Sequence, residues 1–247
     1  MRAKIIRAPS KPLETMYIAA RTCYSAHVPS DIESMMENKD KEEIEGLVKA
    51  VLNMGHWSIA EQVEYTIALE DIPRDMSHQL VRHRLSAYSQ KSQRYVAMND
   101  DDVYKMLNVT VPDIVKDSER ANKAYEHVIK TIEWGYNEIY DALLEEGYDN
   151  ERGKEGARSV LPNSCPTSIV TTKNLRQIAN ECSVRLCKRA QPENTKIYKA
   201  IRDSIVNHFP LMKNYLNPKC YKFGICDEGK KSCGMFPTLD EIDIVKK

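Results

Sequence analysis

One short segment of the chain concentrates cationic and hydroxyl side chains. Arg82–Arg94 (RHRLSAYSQKSQR) contains three arginines, a lysine and a histidine, and it has no acidic residue. A guanidinium is planar and permanently charged, and it can bind two phosphate oxygens at once. We therefore predict that this segment binds a phosphorylated ligand. The alternative is a structural ion-pair network, because such networks use the same arginines with carboxylates from elsewhere in the fold.

A second segment, at positions 55–61, gathers an imidazole, a hydroxyl and a carboxylate from His56, Ser58 and Glu61. These residue types suit ligand binding or proton transfer. Taken alone, however, a helix C-cap followed by a turn is the favoured interpretation of the segment.

The third group of polar side chains is Arg158 together with a predicted helix that carries Asn174, Arg176, Asn180 and Arg185. At about 100° per residue, Arg176 and Asn180 share one face of this helix, whereas Arg185 lies roughly opposite Arg176. Polar residues on both sides predict a helix between two binding sites or at a subunit interface. The alternative is a helix whose arginines are simply solvated.

The seven cysteines favour free thiols over a disulfide framework, because their number is odd and no export signal precedes them. Cys165 has no histidine nearby in sequence to activate it, so we expect a buried, inert thiol. Cys220, Cys226 and Cys233 resemble a metal knuckle in composition, but their spacing is not that of a zinc site. Candidates for a further ligand are Cys187, Cys165 and His208. We predict no metal, and instead free thiols or a labile disulfide.

Composition and missing motifs exclude several classes of protein. The chain has 36 basic and 36 acidic residues, so no global field draws it to nucleic acid or to an anionic membrane. It lacks a signal peptide and any run of roughly 20 apolar residues, which predicts a soluble cytoplasmic protein. There is no glycine-rich nucleotide loop. His78 and His83 are five positions apart, which does not fit the HExxH pattern of a zinc hydrolase.

Hydrophobic periodicity predicts separated strands and helices. The predicted strands are Lys4–Arg7, Glu61–Glu70 and Cys165–Thr172, and the predicted helices are Leu13–Tyr24, Asp40–Met54, Arg74–Arg84, a long segment after Pro112, Asn174–Arg189 and Glu193–Phe209. The arginine-rich segment should therefore span a helix end and the loop after it. Because βαβ alternation is absent, we predict an α+β fold with a mixed or antiparallel sheet flanked by helices. We expect one domain at residues 1–217 and a cysteine-bearing tail at 218–247.

Together, these segments resemble the flavin-dependent thymidylate synthases. Arg82-His83-Arg84, seven residues, and then Ser92-Gln93-Arg94 fit the signature R-H-R-x₇-S-x-R of that family without a gap. The resemblance extends from the loop near position 55 to the helix near 189. It implies an α+β homotetramer with active sites shared between subunits, which would explain a helix with two polar faces. It also implies FAD, NADPH, methylene-tetrahydrofolate and dUMP.

Transferred position by position, the resemblance implies two sets of ligand contacts. The implied flavin contacts are Ser58, Arg82, His83, Arg84, Gln90, Asn174, Arg176 and Asn180. The implied dUMP contacts are Gln79, Arg82, Gln90, Ser92, Gln93, Arg94, Arg158 and Arg185. His56 and Glu61 should shape the flavin or folate pocket. The sequence departs from the family at Arg189, where many members have histidine.

We assign the catalytic role to Arg185. The uracil ring becomes nucleophilic at C5 when negative charge is stabilised at N3 and its carbonyls, and a guanidinium does this without titrating. Ser92 has no base beside it, so we expect it to bind phosphate with Arg94 rather than to attack the ring. The alternative function is a non-catalytic phosphate- or RNA-binding protein that uses the arginine surface.

Overall fold

The computed structural model describes residues 1–96 and 109–242. The strands are β1 (Arg2–Arg7), β2 (Glu64–Pro73), β3 (Ser86–Gln90) and β4 (Pro166–Asn174). The helices are α1 (Pro12–Tyr24), α2 (Pro29–Met36), α3 (Lys41–Asn53), α4 (Arg74–Leu80), α5 (Asp113–Lys116), α6 (Glu119–Glu145), α7 (Asn150–Ala157), α8 (Leu175–Arg185), α9 (Pro192–His208) and α10 (Lys219–Phe223). Short 3-10 helices include Trp57–Gln62 and Arg158–Val160.

The predicted α+β class is confirmed. The described strands form a four-stranded antiparallel sheet in the order β1-β2-β4-β3. β2 owes its place in the sheet to its alternating pattern, since Tyr65, Ile67 and Leu69 are buried and the residues between them are not. The long helix predicted after Pro112 is α6, with 27 residues.

The arginine-rich segment differs from its prediction. Helix α4 ends at Leu80 rather than at Arg84, and the segment contains a strand, β3, instead of a loop alone. Its serine, tyrosine and alanine residues offer no clear apolar alternation, so pairing with β4 determines the strand rather than local pattern.

Contacts divide the chain into two compact units. Unit 1 comprises residues 1–2, 69–82 and 88–170, and unit 2 comprises residues 3–68, 83–87 and 171–247. The boundary predicted at position 217 remains a prediction.

In unit 1, α6 and α7 pack together, and Tyr136, Ala157 and Cys165 form a buried cluster. Gly153 of α7 allows this approach, because a Cβ there would lie 3.2 Å from the ring of Tyr140. The apolar positions predicted along α6 are not all inward, since Val128 is 52% exposed.

In unit 2, helix α1 packs against α2, α3 and the 3-10 helix Trp57–Gln62, and α8 packs against α9. Helix α8 follows β4 directly. The backbone N–H of Leu175 donates to the carbonyl of Val63 at 2.7 Å, which fixes the start of α8. The face of α8 that carries Arg176 and Asn180 therefore lies beside the segment at positions 55–63.

Among the described residues, no helix combines the length and the apolar character that a membrane crossing requires.

Candidate active site

The three residues Arg82-His83-Arg84 lie in the turn between α4 and β3. The helix ends at Leu80 and the strand begins at Ser86. Arg82 and Arg84 are exposed, whereas His83 is half-buried. Both guanidinium groups can therefore reach a ligand.

In unit 1, Gln90 lies at the centre of a small polar cluster. Its side-chain amide donates to Ser77 Oγ at 3.0 Å and to Thr167 Oγ1 at 3.3 Å, and both acceptors are buried. The next residue, Lys91, donates its backbone N–H to Ser168 O at 3.0 Å. These bonds hold the end of β3, a strand of five residues, in a defined position.

Apart from the exposed Arg82, the other predicted nucleotide contacts of unit 1 are half-buried. They are Gln79, Ser92, Gln93, Arg94 and Arg158. Arg94 forms ion pairs with two carboxylates, with Nη2 2.8 Å from Glu151 Oε1 and Nε 3.4 Å from Glu155 Oε1. Both carboxylates belong to α7, a helix that sequence periodicity did not predict. Such partly exposed pairs contribute little stability, so a phosphate group can replace them.

Arg74, the first residue of α4, is a candidate that sequence reasoning missed. Its Nη1 is buried and has no hydrogen-bond partner among the described residues. Burial lowers the pKa of Arg74, the Cys165 thiol opposes this, and nearby Arg158 lowers it further. A buried donor without an acceptor is costly, and here it stands beside a second arginine. Two neighbouring guanidinium groups make this position a candidate for binding an anion. In the sequence, Arg74 is simply an arginine after a proline at a helix start, and nothing there indicates that its Nη1 is buried without an acceptor.

In unit 2, the motif meets helix α8 through His83 and Arg185. Nε of Arg185 donates to Nε2 of His83 at 3.2 Å, so the imidazole accepts and carries its proton on Nδ1. Burial lowers the pKa of His83, the Glu181 carboxylate opposes this, and Arg185 and Lys173 lower it further. The neutral imidazole therefore predominates near neutral pH.

The start of α8 presents the polar face that carries Arg176 and Asn180. Asn174 is the N-cap, and its Oδ1 accepts the backbone N–H of Gln177 at 2.8 Å. Arg176 is exposed and forms an ion pair with Glu61, and Asn180 is exposed one turn later. Arg176 and Arg185 thus have different partners, as their helical spacing predicted.

The loop before β2 contains both structures that the sequence suggested. Helix α3 ends at Asn53, and Gly55 adopts a positive φ of 89° that favours glycine. A 3-10 helix, Trp57–Gln62, follows directly. His56 and Ser58 are exposed on this segment. The local geometry is therefore a C-cap and turn that still leaves two polar side chains accessible.

Three cysteines of the C-terminal tail and a fourth from just after α8 line one cavity of unit 2, which has a volume of about 380 Å³. Cys187, Cys220, Cys226 and Cys233 all line it, and all are free thiols. Among residues 1–96 and 109–242, no group of three or more His, Cys, Asp or Glu could hold a metal ion. None of the predicted ligand-binding residues lines this cavity, so it is not assigned to the active site.

The chain matches known proteins over nearly its whole length. The family model described as thymidylate synthase complementing protein matches residues 4–211. The flavin-dependent thymidylate synthase of Clostridium tetani is 31% identical, with 98% of this chain and 96% of that protein covered. The enzyme of the same name from Thermococcus kodakarensis is 35% identical, with 93% and 90% covered. The chain belongs to the flavin-dependent thymidylate synthase family.

Solved structures agree with this fold. The flavin-dependent thymidylate synthase ThyX of Helicobacter pylori, complexed with FAD and dUMP, matches with a TM-score of 0.65 at 22% identity. The match covers 88% of this chain and 100% of that one. Membership of this family does not support the alternative of a non-catalytic phosphate- or RNA-binding protein.

Cys165 should resist alkylation. Burial raises the pKa of its thiol to about 11, outweighing the opposing effects of the Gln93 hydrogen bond and of nearby Arg74. At about pH 8, iodoacetamide should therefore label the exposed Cys23 and Cys233 well before Cys165, because the thiolate is the nucleophile. Mass spectrometry of the native protein measures this order. Labelling of Cys165 as fast as that of Cys23 would show an activated thiol.

Proposed function

We propose that this protein is a flavin-dependent thymidylate synthase that methylates dUMP reductively to dTMP. The contact between His83 and Arg185, which are 102 positions apart, is the observation that carries the proposal. It joins the arginine-rich motif to the helix that carries Arg176, Asn180 and Arg185. Family membership supports the same conclusion.

FAD is the cofactor in this proposal. The proposed contacts are Ser58, Arg82, His83, Arg84, Gln90, Asn174, Arg176 and Asn180. Their chemistry fits a dinucleotide, because exposed Arg82, Arg84 and Arg176 suit a pyrophosphate and α8 offers a helix N-terminus. When bound and reduced by NADPH, FAD supplies the hydride, and methylene-tetrahydrofolate supplies the carbon.

The substrate dUMP is held by the proposed contacts Gln79, Arg82, Gln90, Ser92, Gln93, Arg94, Arg158 and Arg185. Ser92 and Arg94 bind the phosphate, which displaces Glu151 and Glu155 from the guanidinium. Arg74 adds positive charge beside Arg158. The Gln90 amide is prepositioned by its two hydroxyl partners.

Arg185 is the proposed catalytic residue. Its guanidinium stabilises the negative charge that develops on the uracil ring as C5 becomes nucleophilic. His83 accepts from Nε of Arg185, which helps to fix the plane of the guanidinium. The residues of the site therefore bind, orient and stabilise charge, and none of them needs to act as a covalent nucleophile.

The proposed assembly is a homotetramer that shares its active sites between subunits. Ile114, Val128 and Trp134 expose large apolar side chains in unit 1, which supports burial against another copy. Sedimentation equilibrium should give four chains per particle, and a monomer at micromolar concentration would contradict the proposal. The protein is proposed to be cytoplasmic and to bind no nucleic acid.

The purified protein should be yellow, or become so with added FAD. Its visible spectrum should show the two flavin bands, which NADPH should bleach. With methylene-tetrahydrofolate present, tritium should be released from dUMP labelled at C5, because that position is methylated. A colourless protein that cannot be reconstituted with FAD would contradict the proposed function.

Substitutions at Arg185 and Arg176 should separate chemistry from cofactor binding. Arg185→Ala should lower kcat by about 10²–10³-fold, the usual effect of removing one charge-stabilising donor, while FAD stays bound. Arg176→Ala should instead weaken FAD binding by about 10–100-fold, as expected for one charged hydrogen bond. Turnover and FAD titration measure the two effects.

The matched control is Arg120→Ala. The Arg120 side chain is exposed and belongs to neither set of proposed contacts. This variant should resemble the unmodified protein in both assays. Full activity in Arg185→Ala would refute the catalytic role assigned to that residue.

A further inference from the structure

Glu181 is a buried carboxylate that three side chains hold. Lys173 Nζ and the Tyr198 hydroxyl each donate to Oε2 at 2.5 Å, and Gln177 Nε2 donates to Oε1 at 2.8 Å. The side chains of Lys173 and Glu181 are each 1% exposed. Apolar residues of the same volume are often as stabilising as a buried ion pair. Stability alone therefore does not explain this network.

The network lies next to the contact between Arg185 and His83. Glu181 and Arg185 are four residues apart on α8 and share one face of the helix. Burial lowers the pKa of Lys173, the Glu181 carboxylate opposes this, and Arg185 lowers it further. Lys173 and Arg185 are thus two cations close enough to repel each other. The charged groups that act on His83 are Glu181 and Arg185 from α8 and Lys173 from β4, and Glu181 is the one anion of the three.

We propose that Glu181 is a positioning residue whose carboxylate neutralises Lys173 and so allows Arg185 to lie against His83. Gln177 and Tyr198 hold the carboxylate against Lys173 Nζ, one helical turn before Arg185. Without this charge, Lys173 and Arg185 repel each other and the guanidinium leaves the imidazole. The inference rests on the proposed function for its effect on dUMP, but not for its effect on His83.

The experiment compares Glu181→Gln with the double variant Lys173→Met/Glu181→Gln. In both variants Gln keeps the shape of the carboxylate, and the double variant also removes the cation that the carboxylate neutralises. The first measurement uses ligand-free protein labelled with nitrogen-15 in its histidines. The nitrogen chemical shifts of His83, assigned with His83→Gln, report whether Nε2 is the unprotonated acceptor. The second measurement is dUMP affinity by calorimetry on the FAD-loaded protein between about pH 6 and pH 9.

In Glu181→Gln, His83 should lose its preference for the Nδ1–H tautomer, and dUMP should bind about tenfold more weakly near neutral pH, a typical coupling within one ion-pair network. Its binding should recover as the pH rises, because the buried Lys173, without the Glu181 charge, then loses its proton. In the double variant the tautomer and the affinity should return to within about threefold of the unmodified protein, without that pH dependence.

Three results would overturn the proposal. The first is wild-type affinity for Glu181→Gln at every pH, and the second is a double variant no better than the single one. The third applies if Glu181→Gln does not fold, in which case the double variant, which removes both buried charges, is the test. Loss of the Nδ1–H tautomer of His83 in the double variant would then contradict the proposed role of charge balance. If the unmodified protein forms no dTMP, the proposed function fails while the tautomer measurement still tests Glu181.

Discussion

Repulsion between cations is the constraint on which the candidate site depends. A site for two phosphorylated ligands needs several arginines close together, and each raises the free energy of its neighbours. Carboxylates beside individual cations offset this repulsion. Glu61 pairs with Arg176, and Glu151 and Glu155 pair with Arg94. These pairs are partly exposed and therefore weak, which allows phosphate groups to take the place of the carboxylates.

Three other cations have different surroundings. Lys173 receives a permanent partner in Glu181, with both side chains out of reach of solvent. Arg74 and Arg158 lie near each other, and one nitrogen of Arg74 has no acceptor among the described residues. A protein of zero net charge thus carries strong local fields. Overall neutrality means that the chain as a whole does not attract anions, so the proposed binding of phosphates depends on the local arrangement of these cations.

The sequence predicted most of the fold because its strongest signals are local. Alternation of apolar residues marked β2, and the helical period marked α3 and α9 with their ends within two residues. Strand β3 was missed because only pairing with another strand stabilises it, and α7 was missed because it is short and polar. The two partners of Arg94 were missed with α7.

For the candidate site, too, the sequence revealed local features and missed those that depend on tertiary contacts. The spacing of Arg82, Ser92 and Arg94 is visible in the sequence, and it led to the family. The roles of Arg74 and Glu181 depend on burial and on contacts between separate elements, and no local pattern records them. Glu181 looks like an ordinary polar position of a helix until Lys173 and Tyr198 are placed around it.

The pairing of Arg94 with α7 has a consequence for the proposed role of Arg94 in binding phosphate. In that proposal Glu151 and Glu155 compete with the phosphate for the guanidinium, so the affinity for a phosphate is the difference between two anion contacts. This competition lowers the affinity for the substrate phosphate and equally favours release of the product, since both nucleotides carry the same group.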